Sequence, residues 1–180
     1  GRNGPITIWF PPGEYWLNST VYLEQTGLLI EGSSGGSGQG VMPPQTTIAG
    51  PADGPAFWIN NTEDGLTIRD LAISGVHVGV IIQNSAGVRF TNVHIDASVY
   101  SNATTGPGCN VDLGSWNAPL VIENSYWFWA EQCSFVMGWP SASAGKGQRP
   151  SVIMRGTCDA AGYSLNPPSV YLVVFKEIVF

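Results

Sequence analysis

Two stretches of this chain repeat one pattern 22 residues apart. Gly65-Leu-Thr-Ile-Arg-Asp-Leu-Ala-Ile-Ser-Gly75 lies over Gly87-Val-Arg-Phe-Thr-Asn-Val-His-Ile-Asp-Ala97. Leu66, Ile68, Leu71 and Ile73 fall on Val88, Phe90, Val93 and Ile95. Upstream of each copy, Phe57-Trp-Ile-Asn-Asn61 lies over Val80-Ile-Ile-Gln-Asn84 at an offset of 23. A fixed period in the range of roughly 20–50 residues marks a stacked repeat. Within each copy apolar residues alternate in three-residue runs separated by two-residue polar breaks. Such runs are short strands, not helical turns.

The pattern continues once insertions are allowed for. Leu120-Val-Ile-Glu-Asn124 and Phe128-Trp-Ala-Glu-Gln-Cys-Ser-Phe135 match the second copy at an offset of 40. Val152-Ile-Met154 and Val173-Val-Phe-Lys-Glu-Ile-Val-Phe180 give a fourth copy. The expected fold is all-β: a right-handed parallel β-helix with three short strands in each coil of about 22 residues. Residues 1–180 then form one domain, with opening coils over 5–60 and regular coils over 57–180. Insertions at 97–119, 136–151 and 156–172 all border the first-strand face. Phe180 falls inside a strand and neither end offers a polar cap, so the chain is expected to be part of a longer helix.

Charged residues make up only 11% of the chain and hydrophobic ones 43%, with 23 Gly and 13 Pro. That balance suits a sheet-built body with many turns, and it has too many apolar residues for a disordered chain. A net charge of −6 without basic runs argues against nucleic acid. No apolar stretch reaches the length of a membrane span. No Cys/His spacing suggests a metal, and no cofactor is expected. Three sequons, at Asn18, Asn60 and Asn102, together with only seven Lys plus Arg, point to a secreted protein. Cys133 takes the inward position held by Leu71 and Val93, the setting of a buried thiol. Cys109 and Cys158 lie in two of the insertions and are expected to form a disulfide.

The opening coils carry a resemblance. Trp-Phe-Pro-Pro-Gly-Glu-Tyr (9–15), Leu-Ile-Glu-Gly (29–32) and Pro-Pro-Gln-Thr-Thr-Ile (43–48) resemble the start of the pectate lyase superfamily. That group of right-handed β-helices includes polysaccharide lyases, rhamnogalacturonases, β-1,3-glucanases and phage tailspikes. The resemblance implies a carbohydrate-active protein, a hydrolase or lyase or the N-terminal part of one, with insertions walling a saccharide cleft. In that family the turn between the second and third strands often carries stacked Asn. Here the column is Asp70, Asn92, Gln132 and Glu177, so no Asn ladder is expected there. A second column, Asn61, Asn84 and Asn124, is uniformly Asn and is expected to hydrogen-bond backbone of neighbouring coils inside the bend.

Alternation also fixes the outward side chains. The first strands present Trp58, Ile81, Val121 and Ile153, an apolar column needing cover by this chain's loops, a further β-helix domain or another subunit. The second strands present Thr67, Arg89, Trp129 and Val174. Carboxylate pairs serve glycoside hydrolysis, and carboxylates with a basic partner serve lyases. Candidate catalytic residues are Glu123, Asp112 and Arg149, with Glu123 the best placed, beside two insertions. Asp96, Glu131, Arg89, Lys146 and His94 are further charged candidates. No Asp-x-Asp, no Gly-His-Gly and no paired acid column appears. Trp116, Trp127, Trp129 and Trp139 crowd the insertions, and indole faces stack on sugar rings, so these four are the candidate polysaccharide contacts. Two other readings stand beside the enzyme: a glycan-binding or scaffold module of an extracellular assembly, and a tailspike-like fibre.

Overall fold

The computed structural model describes residues 6–34, 44–51, 54–63, 65–76, 78–97, 118–137, 151–155 and 172–178. Among them every regular element is a strand. The opening part holds β1 (Ile6–Trp9), β2 (Gly13–Trp16), β3 (Val21–Leu23), β4 (Leu28–Glu31) and β5 (Thr46–Ala49). The repeats hold β6 (Pro55–Asn60), β7 (Thr67–Ser74), β8 (Val78–Gln83), β9 (Arg89–Ala97), β10 (Ala118–Glu123), β11 (Trp129–Glu131) and β12 (Ser134–Met137). They end in β13 (Val152–Arg155) and β14 (Val174–Lys176).

Every strand pairing is parallel. One five-stranded sheet runs β13-β10-β8-β6-β3, and a nine-stranded sheet is built along β1-β4-β7-β9-β11-β14. Neither sheet closes on itself, and the result is a solenoid-like stack of repeats. Its register is the one the sequence period requires: Ile68 pairs with Phe90, Leu71 with Val93 and Ile73 with Ile95. In the other sheet Phe57 meets Val80, Val80 meets Leu120, and Leu120 meets Val152. Because the side-chain period of a strand is two, this register sends one set of residues inward in every repeat. Leu66, Ile68, Leu71, Ile73, Phe90, Ile95, Ile122 and Cys133 are all at most 1% exposed and share one core.

The two-residue breaks expected between second and third strands are gentler than that. β7 and β9 each run through the bend as a single strand, turning at one residue of positive φ, Asp70 (57°) and Asn92 (51°). One repeat later the same corner separates β11 from β12, at Gln132 (φ 55°). A second corner follows the five-stranded sheet, at Asn61, Asn84 and Asn124 (φ 53°, 48° and 43°). A third precedes the next strand, at Gly27, Gly65 and Gly87 (φ 74°, 91° and 70°). Asn and Gly are the residues that tolerate the left-handed region best.

The Asn column therefore serves the backbone torsion, and its side chains point along the surface. Asn124 Nδ2 donates to Asn84 Oδ1 at 2.7 Å, and Asn84 Nδ2 donates to Asn60 Oδ1 at 3.5 Å. Side-chain bonding inside the bend falls instead to the serines that follow Asn84 and Asn124. Thr62, Ser85 and Ser125 are at most 2% exposed. Ser85 Oγ accepts from the Thr62 N–H at 3.2 Å, and Ser125 Oγ accepts from the Ser85 N–H at 3.0 Å. Each serine hydroxyl donates to a carbonyl two residues back, at 2.7 Å. The Asp70 column bonds in pairs as well: Asn92 Nδ2 donates to Asp70 Oδ1 at 2.8 Å, and Gln132 Nε2 to Glu177 Oε2 at 3.2 Å.

Two measurements follow from this interior. Ser125→Ala strands the buried Ser85 N–H, and urea unfolding should show a loss of about 1–3 kcal/mol. Burial pushes the Cys133 thiol up to about 11. A group whose folded pKa is raised contributes stability that is complete below its unfolded pKa and is lost as pH climbs to the folded one. Wild type should therefore lose more stability than Cys133→Ala between pH 9.0 and about 11, when unfolding free energies are compared across that window.

Candidate functional site

On the outer face of the nine-stranded sheet the register lays down two adjacent rows. One runs Leu29, Thr67, Arg89, Trp129, Val174, and the other, two residues on, runs Glu31, Arg69, Thr91, Glu131, Lys176. Between the rows the chain points inward at Ile68, Phe90, Ala130 and Phe175. Phe128 sits beneath them, edge-on to Phe90 at 5.2 Å and to Phe175 at 5.8 Å between ring centroids. This aromatic stack makes a firm floor under β9, β11 and β14.

Above it, Trp129 stands 41% exposed with a depression on either side. One, of about 280 Å³, is lined by Arg89, Trp127, Trp129, Leu172 and Val174 with Phe128 at its base. The other, of about 330 Å³, is lined by Arg89, Thr91, Trp129 and Glu131. They share Arg89 and Trp129, so together they form one shallow groove divided by an indole.

Trp127 has an unusual backbone. It occupies the corner that Gly27, Gly65 and Gly87 fill in earlier repeats, and it keeps their left-handed torsion at φ 56°. A side chain bearing a Cβ costs about 1–2 kcal/mol in that region, and a bulky one there is an outlier. Yet its indole is 56% exposed, touching Tyr126 edge-on at 5.5 Å. Leu172, one repeat further, sits at the same corner with φ 56° and lines the same groove. The replacement of glycine by Trp is visible in the aligned repeats; without knowing that the corner needs positive φ, it reads as one more aromatic.

The charges around the groove are paired off selectively. Arg69 Nη2 meets Glu31 Oε1 at 2.8 Å, and Lys176 Nζ binds Glu131 Oε1. The Lys176 hydrogen bond holds the Glu131 carboxyl below its usual range, and Glu131 in turn raises the ammonium. Arg89 is exposed and makes no side-chain hydrogen bond or ion pair with any described residue. The column formed by Arg69, Glu131 and Lys176 is thus two separate ion pairs with Thr91 between them.

The remaining candidates lie elsewhere. Glu123 lines neither depression. It is 3% exposed on the outer side of the five-stranded sheet, where Gln83 Nε2 donates to its Oε1 at 3.0 Å. Gln83 Oε1 in turn accepts from Trp58 Nε1 at 3.2 Å. Next to them the outward apolar column is buried within this single chain: Ile81 is 2% and Val121 0% exposed, clustered with Val78 and Ala118 and flanked by Trp58 and Ile153. Asn18 is exposed, and Asn60 accepts from Asn84. Asp112, Arg149, Trp116, Trp139, Asn102, Cys109 and Cys158 lie outside the described residues.

No family model and no curated protein matches this sequence. A solved structure from Parabacteroides merdae ATCC 43184, described as a candidate glycosyl hydrolase, aligns with 97% of this chain and 82% of its own. The sequence identity is 14% and the TM-score 0.47, too distant a likeness to carry a functional argument. Neither this likeness nor the strand pairing singles out the pectate lyase superfamily.

The Glu131–Lys176 pair has a direct test. A lowered carboxylate pKa adds stability that is present above the unfolded value and is lost as pH falls through the folded one. Lys176→Gln should move the Glu131 pKa upward, as read from its side-chain carboxyl carbon by NMR titration.

Proposed function

We propose that this chain is the carbohydrate-binding part of a secreted right-handed parallel β-helix protein, which lays saccharide rings on Trp127 and Trp129. The observation that carries the reading is Trp127: a strained corner that three earlier repeats give to glycine holds an exposed indole beside a second one. Strain kept at one position points to a use for its side chain. The aliphatic faces of pyranose rings pack on exposed indoles, and Arg89, Thr91 and Glu131 offer hydrogen bonds at the edges of the same groove.

Binding is the better-supported half of the carbohydrate reading. Glycoside hydrolysis by the usual route needs two carboxyl groups roughly 5–10 Å apart across the scissile bond. Among the described residues lining the groove there is one, Glu131, and it is engaged by Lys176. The hydrolase or lyase reading rests on the resemblance of the opening coils. The exposed sequon at Asn18 and the low Lys plus Arg content support secretion.

A glycan array followed by calorimetry on the hits tests this. Trp129→Ala should weaken binding at least tenfold. Trp127→Gly should also weaken it while leaving stability unchanged or raising it by up to about 1 kcal/mol, because glycine relieves the torsion. Binding that survives both substitutions would overturn the proposal. Reducing ends, or absorbance at 235 nm, released from a bound hit would add catalysis to it.

A further inference from the structure

We infer that the saccharide held in this groove carries an anionic group, a carboxylate or a sulfate, seated on Arg89. The inference rests on the binding reading above and names the ligand class for the same groove. Arg89 lines both depressions, as Trp129 does, so the two residues border the same groove along its length. It is exposed, and no described residue answers its charge. The contrast with its neighbours is specific. Arg69 is held by Glu31, and Lys176 is held by Glu131. Glu131, the one carboxylate among the described groove-lining residues, is therefore already compensated. Among the described residues the charge left over in the groove is positive, on a chain whose net charge is −6.

A platform for neutral sugars has no need of an unpaired guanidinium beside its indoles. A planar fork of N–H donors matches the geometry of a carboxylate or sulfate and binds it through two parallel hydrogen bonds. An exposed ion pair by itself contributes little, because water and salt screen it. The indoles change that balance. A ring stacked on Trp127 or Trp129 brings its substituent to Arg89 already oriented, so the ordering is shared with the stacking contact. Selectivity for the anion therefore depends on both the arginine and the aromatics.

Calorimetry with a matched set of probes tests this: a neutral gluco-oligosaccharide, its C6-oxidised glucuronate form and its 6-O-sulfated form. Wild type should bind at least one anionic probe tenfold or more tighter than the neutral one, and which of the two it prefers identifies carboxylate or sulfate. Arg89→Gln should bring the anionic probes to the neutral value, with an unchanged melting temperature. Arg89→Lys, which keeps the charge and loses the fork, should fall between. The preference should shrink as salt is raised. If the neutral probe binds as tightly as the anionic ones while Trp129→Ala still abolishes binding, the anion inference fails and the aromatic platform stands. If wild type binds none of the probes, or Trp129→Ala binds all of them as well as wild type does, the platform reading fails and this inference falls with it.

Discussion

A chain that stacks parallel strands in register must turn corners without interrupting the ladder between repeats. Three recurring corners here each turn at one residue of positive φ: Asn after the five-stranded sheet, Gly (later Trp or Leu) before the next strand, and Asp, Asn, Gln or Glu within the nine-stranded sheet. Everything else depends on those torsions. They hold the 22-residue register that puts Leu71 on Val93 and Ile73 on Ile95, and that register decides which face of each strand is core. They also place the residue after each Asn inside the wall, where the hydroxyls of Ser85 and Ser125 accept backbone N–H groups from neighbouring repeats. A parallel stack has no hairpins to fix its pairing, so the corners carry that burden.

The period, the parallel register and the inward columns were legible from the residues alone, because burial imposes a strict alternation on every strand. Corner chemistry was legible only in part. A uniform Asn column was visible, but bonding to backbone inside the bend was assigned to the wrong residue. The Asn amides run along the surface and the following Ser does the internal work, a signal present in Asn84-Ser85 and Asn124-Ser125. Insertions blurred the charges more seriously. Arg69 pairs with Glu31, 38 positions away across the Gly/Ser tract, and sequence spacing cannot say which cation reaches which acid over such a distance.

The candidate site shows the same division. Trp127 and Trp129 line one groove, whereas Glu123 lies on the other sheet in a part-buried hydrogen-bond chain with Gln83 and Trp58. Arg89 lies in the outward column beside Trp129, as alternation requires. What alternation could not reveal is that its neighbours' charges are spoken for and its own has no partner among the described residues. That depends on pairing between repeats, a property of the assembled wall.

The glycine corner separates what a repeat is built from and what it displays. Its side chain takes no part in the hydrogen bonds that join one layer to the next, so exchanging glycine for tryptophan or leucine leaves the pairing of Arg89, Trp129 and Val174 intact and confines the penalty to a single torsion. A scaffold of this kind can acquire a new surface by mutating one position per layer. Layers with Gly at that corner stay mute, and those with a large residue speak for the whole wall.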